Sequence, residues 1–248
     1  MNEHEINNSI KKLIEKFEKI KKDGWIESKS NGTGAIGITF EKMLGKQTEN
    51  FELPDYNGIE IKTKTISNYS KQTITLFSAV PDSQILICKE IFKKYAYTAN
   101  DKKKKFYIKI NSKILKRISN KYYFKLYFND YFEIMYLLIF NKDGTIINNN
   151  ISWSYKLLKE KCKRKLKYLA YIEGYKKNQN NKIYYKYENI KIYKLKNEKT
   201  IINLLKEGCI EIDFKLEEDS KKKEKLINHG ISFIIKKKDI EKLYTCIK

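Results

Sequence analysis

The sequence has few of the residues that break or staple a chain. Only 2 Pro and 10 Gly occur in 248 residues, which argues against collagen-like repeats and Pro-rich linkers. The 4 Cys are Cys88, Cys162, Cys209 and Cys246, with no C-x-x-C pair among them. That spacing disfavours structural zinc and a disulfide framework, and points to buried free thiols in a reducing compartment. Arginine is almost absent, represented by Arg117 and Arg164. The 2 His, His4 and His229, are too far apart for a nuclease of the His-Asn-His kind, and His4 is expected in a disordered N-terminus. The longest uninterrupted apolar run, Ile134–Phe140, is too short to span a bilayer. The N-terminal MNEHEINNSIKK lacks the apolar region of a signal peptide. A soluble, cytoplasmic protein with no membrane partner is expected.

What is abundant is lysine. Lys+Arg is 52 against Asp+Glu 30, a formal net charge of +22. Such a charge calls for a polyanion as partner, with nucleic acid first. An AT-rich gene offers a blander explanation, because Lys, Asn, Ile and Tyr all rise together and solvated lysine is tolerated on a surface. The 41% hydrophobic and 13% aromatic residues suffice for a core, so whole-chain disorder is not expected.

Periodicity divides the chain into mixed elements. Ile6, Ile10, Leu13, Ile14, Phe17 and Ile20 recur at helical spacing, and Asp23-Gly24 ends that helix. A Gly/Ser/Asn stretch leads into a second short helix over 35–44, stopped by Gly45. Further helices are expected over 83–95, 153–165, 199–207 and 239–247. Strands are expected over 59–62, 73–79, 106–110, 122–128, 134–140, 168–174, 183–195, 209–216 and 231–235. The pattern is α+β. No repeat or clear linker interrupts it, and the turn region at 141–150 is the weakest boundary, separating 1–145 from 146–248.

The chemistry concentrates in PDYNGIEIKTK, residues 54–64. Asn57-Gly58 signals a tight turn, and Ile59 and Ile61 then alternate with Glu60 and Lys62. Residues two apart on a strand share a face, so a carboxylate and an ammonium stand side by side. Asp55 lies just across the turn and can converge on them. Two carboxylates suit a hard divalent ion such as Mg2+. A neighbouring lysine can assist the attacking water and stabilise phosphate charge. These are the parts of metal-assisted phosphodiester hydrolysis. The competing interpretation of Glu60 and Lys62 is a solvated strand face with an ordinary ion pair. A similar spacing at Asp23, Glu27 and Lys29 lacks strand alternation and is set aside.

The surrounding segments add specificity. GTGAIGITFEKMLGK (32–46), PDYNGIEIKTK (54–64) and TLFSAVPD (75–82) resemble, in order and spacing, the MvaI/BcnI type II restriction endonucleases. NHGISF (228–233) is similar to a C-terminal His-Gly-x-x-Phe segment of that family, although Phe233 is followed by Ile234 where the family often has an Arg. The resemblance implies a PD-(D/E)xK nuclease core, a mixed sheet flanked by helices, with a DNA-recognition lobe. It implies Asp55 and Glu60 as Mg2+ ligands, Lys62 as the assistant of the attacking water, and Glu41 as a supporting residue. His229, Lys64, Lys71 and Thr75 become the expected DNA contacts. A monomer cutting double-stranded DNA at a short CCNGG-like site is implied, with a cognate methyltransferase as functional partner. With two Arg in the chain, base readout must lean on Lys, Asn, Gln, His and backbone groups.

Two rivals remain at this point. A MutH-like nicking endonuclease would share Glu41, Asp55, Glu60 and Lys62 but need an activating partner. A non-catalytic nucleic-acid-binding protein would use the lysine runs 102–105, 161–167 and 221–225, with the tyrosine-rich strands stacking on bases or packing a core.

Overall fold

The computed structural model describes residues 2–32, 34–45, 53–66, 72–82, 87–118, 120–219 and 226–248. The chain opens with α1 (Glu3–Lys22), β1 (Ile26–Glu27), α2 (Ala35–Met43), β2 (Glu60–Thr65) and β3 (Thr73–Ser78). It continues through α3 (Ile87–Tyr95), β4 (Tyr97–Thr98), β5 (Lys104–Ile110), β6 (Lys116–Ile118), β7 (Tyr122–Asn129), β8 (Ile134–Phe140) and β9 (Ile146–Ser154). Next come α4 (Tyr155–Lys165), β10 (Tyr168–Gln179), β11 (Lys182–Leu195) and α5 (Thr200–Lys206). The last elements are β12 (Ile210–Glu218), β13 (Leu226–Lys236), a 3-10 turn at Lys237–Asp239, α6 (Ile240–Leu243) and β14 (Tyr244–Cys246). The fold is mixed α+β.

Two compact units share the chain. One combines Met1–Gln72, Lys163–Lys196 and Tyr244–Lys248; the other combines Thr73–Cys162 and Asn197–Leu243. The boundary expected at 145–146 lies inside the second of these.

The first unit is built on a mixed sheet in the order β1-β11-β10-β2, with β14 also pairing β11. β10 and β11 form a long antiparallel hairpin closed by Asn180-Asn181, both at positive φ (50° and 60°). Asparagine tolerates that left-handed conformation, and it matches the twist of a two-residue hairpin. β2 pairs parallel to β10, with Glu60 opposite Leu169, Lys62 opposite Tyr171 and Lys64 opposite Glu173. Helix α1 starts with a capping box between Asn2 and Glu5, carries acids in its first turn and lysines in its last, and so complements its dipole. Its Ile6, Ile10, Leu13, Phe17 and Ile20 enter a core shared with Phe40, Ile59, Ile61, Ala170, Ile172 and Tyr187. Each Ile, Leu or Phe side chain buried there contributes roughly 1.5–3 kcal/mol. Leu13→Ala, at a fully buried position, would cost about 2–5 kcal/mol. His4 sits in the first turn of α1, not in a disordered tail.

The second unit holds a sheet β3-β13-β12-β5-β4 and a four-stranded antiparallel sheet β6-β7-β8-β9. Rings of Phe77, Phe106, Phe124, Trp153, Phe214 and Phe233 pack at 4.9–6.5 Å between centroids.

Two expected helices are corrected. Trp153 belongs to β9, where its buried indole N–H donates to the Ala79 carbonyl at 3.1 Å, and the helix starts only at Tyr155. The expected closing helix ends at Leu243, because Tyr244–Cys246 pairs with Tyr193–Leu195 of β11. The described part of the helix expected over 83–95 is Ile87–Tyr95. All four cysteines are free; Cys88 and Cys162 are buried as expected, whereas Cys209 is half-buried and Cys246 exposed. Burial pushes the Cys162 thiol up to about 12, which leaves it inert. Among the described residues, no helix is long and apolar enough to cross a membrane.

Candidate active site

The site starts from a reverse turn. Asn57 (φ 41°) and Gly58 (φ 83°) both take the left-handed conformation. Tyr56 and Ile59 exchange backbone hydrogen bonds across them at 2.9 and 2.8 Å. This is the two-residue turn that Asn-Gly favours. Continuing its register sets Asp55 across from Glu60, so the four-residue spacing brings two carboxylates to one face. Asp55 is then held in place, its Oδ2 accepting the Ile61 N–H at 3.0 Å.

Glu60 is fully buried. Its Oε1 accepts a hydrogen bond from Lys62 Nζ at 2.5 Å, and Lys165 Nζ approaches the same oxygen at 3.5 Å. Its Oε2 is buried and, among the described residues, has no hydrogen-bond partner. Burial raises the Glu60 carboxyl above the usual carboxylate range; Lys62 pulls it down, Asp55 pushes it up, and Lys165 pulls it down again. The solvated-face interpretation of Glu60 is therefore excluded by its burial. A buried carboxylate oxygen left without a partner is costly and calls for a ligand.

The arrangement fits a divalent cation. Among the described residues, no group of three or more His, Cys, Asp or Glu side chains converges as a metal cage. Mg2+ needs no such cage; one or two carboxylates, with waters and substrate phosphate, hold it. Asp55 and the buried Oε2 of Glu60, which makes no hydrogen bond among the described residues, offer that donor set.

The other expected residues fall in several places. Lys64 shares the Glu60 face of β2 by strand alternation. Glu41 is half-buried on α2, one turn past Gly37. A Cβ at Gly37 would lie 2.9 Å from Thr63 Oγ1, and Thr63 points away from Glu60, so α2 crosses the opposite face of β2. Lys71 and the run 221–225 lie outside the described residues. Glu27, from the motif set aside, is exposed and bound to Lys182 Nζ at 3.1 Å.

In the second unit, His229 and Gly230 together oppose Lys215, because the register shifts between Phe214 and Leu216. Gly230 has φ 95°, and its N–H donates to Asn228 Oδ1 at 2.8 Å. Such a bulge re-aims a side chain. The exposed His229 places Nε2 3.1 Å from Glu217 Oε1, and Tyr107 OH donates to Glu217 Oε2 at 2.6 Å. The two bonds hold the Glu217 carboxyl below its usual range, Tyr107 contributing first, while burial and Glu217 push the Tyr107 phenol up to about 12. Thr75 is exposed on β3 opposite Ile234, five positions from His229, roughly 15–17 Å along the strand. These two are not brought together.

Sequence reasoning assigned Lys165 only to a basic run. Its place beside Glu60 depends on β10 pairing with β2, a contact between segments far apart in the chain. The tyrosine-rich strands serve mainly as core: Tyr168, Tyr171, Tyr185, Tyr187 and Tyr193 are buried.

The chain is a restriction endonuclease, a hydrolase of DNA. It belongs to the MvaI/BcnI restriction endonuclease family, which matches residues 14–244. Two solved structures are similar over nearly the whole length. A complex of restriction endonuclease MvaI with its cognate DNA substrate has a TM-score of 0.86 and 25% identity, covering 99% of this chain and 98% of that one. Restriction endonuclease MvaI in the absence of DNA has a TM-score of 0.60 and 26% identity, covering 99% and 97%. No curated protein matches the sequence.

Proposed function

We propose that this chain is a Mg2+-dependent type II enzyme that cuts double-stranded DNA at a short site through Asp55, Glu60 and Lys62. The observation that carries the reading is the buried Glu60, with Oε1 on Lys62 and Oε2 left without a hydrogen-bond partner among the described residues, on the strand whose Ile61 N–H holds Asp55. Asp55 and Glu60 would hold the ion. Bound there, Mg2+ would offset charge on the scissile phosphate and acidify water. Lys62, fixed against Glu60, orients the attacking water and stabilises charge developing on the phosphate. Glu41 is assigned a supporting role by the family resemblance alone, since α2 crosses the face of β2 opposite Glu60. The first compact unit then carries the chemistry, and the second carries recognition.

DNA contacts are assigned to His229, Lys64, Lys71 and Thr75. The bulge at His229-Gly230 and the Tyr107–Glu217–His229 chain support the first of these, because they orient a ring that would otherwise rotate freely. The similarity to an MvaI complex with cognate DNA supports a duplex substrate, and a CCNGG-like site follows the family. The enzyme acts as a monomer in the cytoplasm, beside a methyltransferase that protects host DNA.

Unmethylated phage DNA incubated with the protein in Mg2+ and in EDTA tests this. Discrete fragments in Mg2+ alone are expected, and sequencing their ends gives the site. Intact DNA across many sequences and metals would overturn the reading.

A further inference from the structure

Among the described residues, Glu60 is acted on by Lys62, Asp55 and Lys165. With both carboxylates ionised, two negative charges meet two positive ones. Lys62 belongs to the strand that carries Glu60. Lys165 does not; it is the last residue of α4, delivered from a distant part of the chain. Its side chain is 19% exposed, against 25% for Lys62, and both ammoniums lie on the one oxygen, Oε1. A second cation there does nothing for Oε2, which has no hydrogen-bond partner among the described residues. It does cancel negative charge that a divalent ion would otherwise use, and like charges so placed repel.

We propose that Lys165 is a positioning residue that holds metal affinity low until DNA is bound. A divalent ion added to these four groups, whose formal charges cancel, adds two positive charges that they do not compensate. A DNA phosphate supplies the missing negative charge, and the long lysine stem lets the Lys165 ammonium turn toward it. Metal and DNA then bind with positive coupling, which must act equally in both directions. The proposal rests on Glu60 as a metal ligand.

The test is Mn2+ binding to the full chain without DNA, read as free Mn2+ by electron paramagnetic resonance. Wild type is compared with Lys165→Met, Lys165→Gln, Lys165→Arg, Glu60→Gln and the double variant Lys165→Met/Glu60→Gln. Lys165→Met keeps the apolar stem and removes the charge. Tightening of about 10-fold is expected, within the usual range of coupling between sites. Lys165→Gln should tighten similarly, so the test survives if one variant fails to fold. Lys165→Arg should bind as wild type does, and the double variant should lose the gain. Binding by Lys165→Met and Lys165→Gln that equals or falls below wild type would overturn the proposal; a purely structural lysine gives that result. If Glu60→Gln binds Mn2+ as wild type does, the metal assignment itself fails. If Glu60→Gln loses binding while the Lys165 variants do not tighten, only this inference fails.

Discussion

Lys62 Nζ stands 2.5 Å from Glu60 Oε1, and this pair converts strand alternation into a site. The carboxylate is buried, so the pair is more than a surface ion pair, whose worth would be small. Lys62→Ala should cut the single-turnover cleavage rate by about 10²–10⁴-fold, the usual range for a positioned proton-transfer group. DNA affinity measured in EDTA should change little. A loss confined to affinity would reassign Lys62 to simple phosphate binding.

Glu60 should make the protein less stable at neutral pH than it could be. Its carboxyl titrates above the ordinary glutamate value, mainly through burial. A raised carboxyl favours folding below the unfolded value and loses that contribution as pH rises through the folded one. Gln at this position cannot titrate. In metal-free buffer, Tm of Glu60→Gln minus wild type should therefore increase from pH 4.5 to neutral. Each kcal/mol moves Tm by roughly 2–4 °C in a chain of this size. A flat or falling difference would contradict the burial argument.

Gly174 is required by close backbone approach. It sits at the bulge after Glu173, and a Cβ there would lie 2.6 Å from the Lys186 carbonyl oxygen. The Gly174 carbonyl also accepts the Ile66 N–H at 2.8 Å, at the end of the strand that bears Glu60. Gly174→Ala should destabilise by about 1–3 kcal/mol or more, as overpacking does. Thermal unfolding measures it, and an unchanged Tm would mean that the hairpin relaxes freely.

His229 and the lysines should separate by salt dependence. A base contact from His229 predicts that His229→Ala costs about 1–3 kcal/mol of affinity for the cognate duplex. The slope of log K against log salt should stay the same. Lys64→Ala should instead weaken all sequences alike and reduce that slope by about 1. Glu217→Gln should reproduce part of the His229 loss, because Glu217 orients the ring. Equal loss on cognate and random duplex in His229→Ala would remove the histidine from base readout.

Much of the local geometry around Asp55, Glu60 and Lys62 is legible in the sequence. Asn57-Gly58 encodes its own turn, and strand period two places Glu60 and Lys62 together; both are local properties of the chain. The burial of Glu60 was not legible, because it depends on Leu169 pairing beside it across a long separation. Lys165 was hidden for the same reason. Trp153 was misread as helical because basic residues at helical spacing follow it, yet its indole fills the core beside Phe214 and Phe233. Tyr244–Cys246 left the closing helix because β11 offered a partner strand, and tertiary pairing outweighs weak local preference. The compact units interleave, so no boundary in composition marks them.

The central claim is that Asp55 and Glu60 form a metal centre that hydrolyses DNA. Its most direct test sets wild type beside Asp55→Ala, with cleavage in Mg2+ and duplex binding in EDTA measured on the same preparations. The account predicts discrete fragments from wild type, a cleavage rate at least about 10²-fold lower in the variant, and DNA affinity retained. Undiminished cutting by Asp55→Ala, or cutting by wild type in EDTA, would contradict it.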